Sequence, residues 1–205
     1  MRLSRVIGGS ILRYNGGVTL FTNTLLFKTT LFGVGTMSDD ASTLLRSISW
    51  FTEPPSVLPE HIGDWLMETG SMTRRLEKYC AQLKTILCSE KFITPQALGE
   101  EREQLPYSER YWLREVVLYG DDRPWLFGRT IVPQQTLDGT DSALTKIGNQ
   151  PLGRYLFGQK ALTRDYIHTG CSEGLWARRS RLCVSGHPLL LTELFLPESP
   201  IYFSR

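Results

Sequence analysis

Cysteine is scarce. Four thiols in 205 residues, Cys80, Cys88, Cys171 and Cys183, are too few for a disulfide scaffold and form no C-x-x-C pair of the zinc or thioredoxin kind. They read as reduced, mostly buried thiols of a cytoplasmic chain. His61, His168 and His187 lie far apart, at no metal-ligand or triad spacing. No G-x-G-x-x-G or G-x-x-x-x-G-K loop is present to cradle a phosphate, and Ser180 and Ser185 lack the G-x-S-x-G elbow. No repeat is visible. These residues call for no metal and no cofactor.

Long apolar runs are missing too. Residues 18–35 (VTLFTNTLLFKTTLFGVG) are apolar and β-branched, but Lys28 and several threonines interrupt them, short of a clean membrane span. The glycine-broken start before them, with no small-x-small cleavage site, does not make a secretory signal. Met37 opens an acidic stretch, Ser38-Asp39-Asp40, that resembles a natural start. Three readings of the first 36 residues stay open: a disordered or non-native leader, an extra strand or loop, and a targeting or membrane contact. Acid is absent from that end, where Arg2, Arg5, Arg13 and Lys28 stand alone. The other 169 residues carry 19 basic and 21 acidic groups, a net of −2, which argues against a nucleic-acid binder.

What remains is ordinary globular material, 41% hydrophobic and 21% charged, of a length that suits one domain. Pro54-Pro55 marks a turn, so the expected division is a leader over 1–57 and a domain over 58–205. Ile62, Trp65 and Leu66 lie at helical spacing, and Ser71 is placed to cap a second short helix from Met72. A strand is expected over 84–93, a polar surface loop over 95–106, and short helices over 142–147 and 152–157. Residues 111–119 (YWLREVVLY) and 125–132 (WLFGRTIV) form one hairpin, 163–168 a strand, and 178–184 with 188–196 a second hairpin. Two hairpins, extra strands and clustered helices indicate an α+β fold with a mainly antiparallel sheet.

The informative feature is charge inside these apolar strands. Side chains alternate between faces, so Arg114 shares a face with Trp112, Val116 and Leu118, while Glu115 shares the other with Leu113 and Val117. Glu193 lines up with Leu189, Leu191 and Phe195, and Arg129 sits within WLFGRTIV. Each must find a partner in the protein, in water or in a ligand, because an unpaired desolvated charge costs several kcal/mol. An arginine fork matches a carboxylate and a glutamate accepts from a hydroxyl, so the set suggests a hydroxylated small acid in an apolar pocket. The run Arg178-Arg179-Ser180-Arg181 reads as an edge or anion-facing run rather than a nucleic-acid patch.

Six blocks in order then carry a resemblance: SERYWLR (108–114), WLFGRTIVP (125–133), PLGRYLF (151–157), LTRD (162–165), GLWARRSRL (174–182) and PLLLTELFLP (188–197). From about Asp64 to Tyr202 the chain resembles the bacterial chorismate pyruvate-lyases. The resemblance implies a single domain with about six antiparallel strands, and helices and two lid-like flaps over an internal site. It implies that Arg114 holds the carboxylate of 4-hydroxybenzoate, that Glu193 meets its hydroxyl, and that Met72 and Leu152 make backbone contacts. Arg129 is a further catalytic candidate, expected to offset charge on the departing enolpyruvyl group, while Glu115 points away. The implied activity is elimination of pyruvate from chorismate for ubiquinone synthesis, by a cytoplasmic monomer that needs no cofactor, nucleic acid or stable membrane insertion. The alternative is a non-catalytic module of the same fold that senses a small acid, as in certain transcription regulators. Residues 1–58 are too short and too poor in helix pattern to add a winged-helix domain.

Overall fold

A computed structural model describes residues 12–14, 17–19, 34–56, 58–139, 144, 147–148, 150–158 and 161–203. It divides into a small unit, Met1–Phe32, and a large one, Gly33–Arg205. In the small unit, β1 (Leu12–Tyr14) pairs antiparallel with β2 (Gly17–Thr19). The rest of the expected leader before Val34 lies outside the described residues, as does most of the helix expected over 142–147.

The large unit is one antiparallel sheet of seven strands with several helices, an α+β fold. Its strands are β3 (Ser49–Phe51), β4 (Leu83–Ile93), β5 (Tyr111–Gly120), β6 (Arg123–Pro133), β7 (Leu162–Ser172), β8 (Leu175–Val184) and β9 (His187–Phe195), in the order β3-β7-β8-β9-β6-β5-β4. Two meanders, β4-β5-β6 and β7-β8-β9, therefore lie side by side, joined where β6 pairs with β9.

Turn chemistry sets the hairpins. Asp121 and Asp122 have φ of 48° and 66°, Glu173 and Gly174 of 51° and 79°, Ser185 and Gly186 of 51° and 83°. Two consecutive residues in the left-handed region make the tight turn whose twist matches the flanking strands. The Asp121 carboxylate also accepts from the Ala81 and Gln82 amides, which fixes the first turn to the start of β4.

The body begins before Leu58. Helix α1 (Val34–Arg46) and β3 belong to the large unit, and β3 pairs with the edge of β7 at Thr169, Gly170 and Cys171. Gly170 is required there, since a Cβ would stand 2.4 Å from Ile48 and 2.9 Å from the Trp50 ring. Residues 95–104 are not a simple polar loop. They form a 3₁₀ segment that buries Pro95 and Leu98.

Each sheet face is apolar at its ends and charged in its middle. On the front face, Trp112, Val132, Leu182, Leu189 and Leu191 pack under the crossing segment that carries α5 (Leu152–Leu156). At the other end, Leu118, Leu126 and Phe195 pack under α2 (Glu60–Leu66) and α3 (Met72–Leu76). Ser71 caps α3, its hydroxyl accepting from the Arg74 amide at 3.4 Å. On the back face, α1 covers Val117, Phe127, Ala177 and Leu194, and the 3₁₀ segment covers Leu113, Ile131 and Leu190. Between β6 and β7 the chain runs from α4 (Gln134–Gly139) through α5 across the front, which roofs the charged middle of that face.

Candidate active site

Arg114 stands between Trp112 and Leu118 on the front face of β5 and is 1% exposed. Its cross-strand neighbour Glu90 accepts from Nη1 at 2.8 Å, and the Gly148 and Gln150 carbonyls accept from Nη2 at 2.6 and 3.1 Å. Its Nε–H is buried and has no hydrogen-bond partner among the described residues. A donor left over in this way is a place for a ligand oxygen.

Glu193 is 5% exposed on the front face of β9. Cross-strand from it is Arg178, 1% exposed, whose Nε donates to Glu193 Oε2 at 2.6 Å. Nη1 of Arg178 donates to the Glu68 carbonyl at 2.6 Å and the Leu66 carbonyl at 3.4 Å, which ties the pair to the end of α2.

Arg114, Arg178 and Glu193 line one chamber with Met72, Leu152 and Phe157. Met72 and Leu152 open α3 and α5, so their amide N–H groups have no acceptor within their helices. The two helices meet at Gly153, where a Cβ would stand 2.9 Å from Thr73 Oγ1. About 40 Å³ of free space remains inside, room for a water or two.

Arg164, on β7, adds a further cation near the chamber. It donates to Ser180 Oγ and to the Thr69 carbonyl. Burial, and then the like charge of Arg178, bring its pKa down to about 10.

Four of the five expected site residues, Arg114, Glu193, Met72 and Leu152, thus come together. Arg129 does not. In register it faces Glu115 on β5 and Thr192 on β9, which puts it on the back of the sheet. There Glu101 accepts from its Nε and Nη2 and Glu115 from its Nη1, at 2.5–3.2 Å. Burial opposes its charge, but the two carboxylates more than offset that and hold its pKa above the ordinary arginine value. Glu115 points away from the chamber as expected, and also accepts from Ser42 Oγ at 3.0 Å.

Arg178 is the residue that the sequence reading missed. The signal lay in the alternation of ARRSRL, which separates Arg178 from Arg179 and Arg181. The basic run is not a surface patch: Arg178 and Arg179 are buried, and Arg181 donates to Asp165 at 2.6 Å. None of the four cysteines forms a disulfide, and they are half-buried rather than buried. Among the described residues, no three His, Cys, Asp or Glu side chains gather to hold a metal ion, and no helix is long and apolar enough to cross a membrane.

An enclosed chamber on an antiparallel sheet, with a buried arginine at one end and a glutamate–arginine pair at the other, defines a protein built around a small organic acid. Comparison with known proteins names the family. Residues 44–205 match the chorismate lyase family model. The chorismate pyruvate-lyase of Pectobacterium atrosepticum is 86% identical over 168 residues, 82% of this chain and 95% of that protein. The chorismate pyruvate-lyase of Yersinia enterocolitica is 57% identical over 166 residues, 81% of this chain and 99% of that protein. The C-terminal domain of the histidine utilization repressor of Pseudomonas syringae aligns at a TM-score of 0.39 and 16% identity, over 57% of this chain and 92% of that domain, too loose a likeness to carry an argument. The chain belongs to the chorismate lyase family and is a lyase.

Proposed function

We propose that the front chamber eliminates pyruvate from chorismate to leave 4-hydroxybenzoate, the first committed step of ubiquinone ring formation, with Arg114 and Glu193 gripping opposite ends of the ring. The observation that carries this assignment is the polar pattern of one closed chamber. The backbones of Arg114 and Glu193 lie two strands and two residues apart in register, about 12 Å by strand geometry. Both side chains line the chamber, with Gly128 and Thr130 of β6 between them and Val116 and Leu191 alongside.

The ring carboxylate accepts from the free Nε–H of Arg114, helped by the Met72 and Leu152 amides. Glu193 accepts from the ring hydroxyl. Arg178, beside Glu193, takes the part that the sequence reading gave to Arg129 and offsets charge on the departing enolpyruvyl group. In a cyclic, retro-ene-like step, the hydrogen on the ring carbon that bears the hydroxyl passes to the enolpyruvyl methylene. The ring carbon–oxygen bond breaks, a ring double bond forms, and pyruvate leaves as its methyl ketone. Aromatisation drives the step, so orientation and fixed charges supply the catalysis.

With so little free space inside, α3 and α5 must part to admit chorismate, and these are the flaps of the site. A closed chamber of this kind holds its aromatic product and releases it slowly. The chain acts as a monomer in the cytoplasm. Four thiols without a disulfide fit a reducing compartment. Large apolar side chains exposed among the described residues are limited to Met67, Phe92, Tyr107 and Phe203, which fits a monomer.

The decisive assay mixes the protein with chorismate and follows pyruvate and 4-hydroxybenzoate; no product would end the proposal. Deuterium on the ring carbon bearing the hydroxyl should appear in the methyl group of newly formed pyruvate, and its absence there would replace direct transfer with a stepwise acid–base route. Glu193→Gln should fold normally and turn over about a hundredfold more slowly. Full activity in that variant would remove Glu193 from the mechanism.

A further inference from the structure

A cavity larger than the front chamber opens elsewhere in the molecule. About 420 Å³ of space lies on the back face, between the charged middle of the sheet, α1 and the 3₁₀ segment. That volume falls in the range of small-molecule sites, roughly 300–1,000 Å³. Its floor is the register pair Arg179 and Thr192, next along β8 and β9 from Arg178 and Glu193 but on the opposite face.

Arg179 is physically anomalous. It is 6% exposed, and among the described residues it makes no ion pair or hydrogen bond; its buried Nε–H has no partner. Beside it, Thr192 Oγ1 is buried and equally without a partner among the described residues. Every other buried arginine of the sheet has an acceptor: Arg114 has Glu90, Arg129 has Glu101 and Glu115, Arg178 has Glu193. Arg179 lies 4.4 Å above the Trp50 ring, a contact that holds the guanidinium plane but accepts none of its hydrogens. Burial lowers its pKa, so its charge is held at a cost. Glu100 and Glu101 line the same cavity without pairing with it, and Glu101 is already committed to Arg129.

We propose that the back-face cavity is a second binding site, in which Arg179 and Thr192 hold the carboxylate of a small organic monoacid. The two orphaned donors supply the hydrogen bonds that a carboxylate needs. Leu45 and Leu98 wall the cavity and suit an apolar body on the acid. Arg46, Arg129 and Arg179 against Glu100 and Glu101 leave the lining one positive charge in excess, which matches a monocarboxylate better than doubly charged phosphate. The site shares no side chain with the front chamber and does not rest on the reaction assigned to it.

Benzoate is the probe, with inorganic phosphate as the control. The ¹⁵N-labelled full chain is first given one equivalent of 4-hydroxybenzoate, which the front chamber holds, and benzoate is then titrated while amide and tryptophan indole resonances are followed. Benzoate should move the signals of Arg179, Thr192 and the Trp50 indole in a saturable way, and phosphate at equal concentration should not. Arg179→Met should weaken that binding at least tenfold and Thr192→Val several-fold, with front-chamber signals unchanged. If Arg179→Met fails to fold, Thr192→Val still decides. Shifts confined to the front chamber, equal binding by both variants, or phosphate binding as tightly as benzoate would overturn the proposal.

Discussion

The two faces of this sheet are built on one plan and put to different uses. On each, strand alternation places apolar residues at the ends and charged residues in the middle. At the back, Arg129 is gripped by two carboxylates and its neutralisation is complete within the chain. At the front, Arg114 keeps a buried donor idle, and Glu193 and Arg178 share a chamber with it. A buried charge satisfied on all sides serves as structure, whereas one left a hydrogen bond short is poised for a ligand. By that criterion Arg179, at the back, belongs with the front-face residues rather than with its neighbour Arg129.

Removing the cover of the back face should have the largest effect. Deleting residues 1–57 strips away Ala41, Leu45 and Ile48 together with β3, and should cost about 5 kcal/mol of stability in urea unfolding. Deleting residues 1–32 alone should leave turnover and unfolding unchanged; a loss there would make the first unit part of the working protein. Arg114→Ala comes next, with 4-hydroxybenzoate affinity lowered by about 4 kcal/mol in calorimetry. Affinity within threefold of the parent chain would break the contrast between the faces. Arg129→Met leaves buried Glu115 and half-buried Glu101 without their cation, and should cost about 3 kcal/mol of folding stability with little change in product affinity. An affinity loss without a stability loss would move Arg129 back among the ligand-binding groups.

The smallest effect is a titration. His168, cross-strand from Arg179 and stacked on Tyr166, has its pKa lowered first by burial and then by the Arg179 charge. Its ionised form is disfavoured in the folded chain, so the unfolded chain takes up the proton first as pH falls. Stability should therefore slip as pH drops below about 6.5 and level off once the folded form has titrated too. His168→Gln should flatten that slope in pH-dependent unfolding, and an unchanged slope would assign it to other groups.

Local chemistry made much of this legible. The alternation of YWLREVVLY assigns Arg114 and Glu115 to opposite faces, and Asp121-Asp122 and Ser185-Gly186 announce their turns. Alternation says only which residues of one strand agree with each other, however. Nothing in WLFGRTIV reveals that Arg129 sides with Glu115 rather than Arg114, because that depends on the register of β5 and β6. Arg178 stayed hidden for the same reason: its partner lies on β9, and only the β8–β9 register makes them neighbours. Strand β3 is three residues long and pairs with a strand more than a hundred residues away, so no local pattern betrays it.

The sequence by itself determined the antiparallel hairpins, the family, and the fact that charges had to be buried among apolar strands, because turn residues, side-chain period and motif order are properties of neighbours along the chain. Tertiary structure alone decided which charges meet, which are neutralised and which are left with a free hydrogen. Strand register and the path of the covering segments fix those outcomes, and both are set by contacts between residues far apart in the chain.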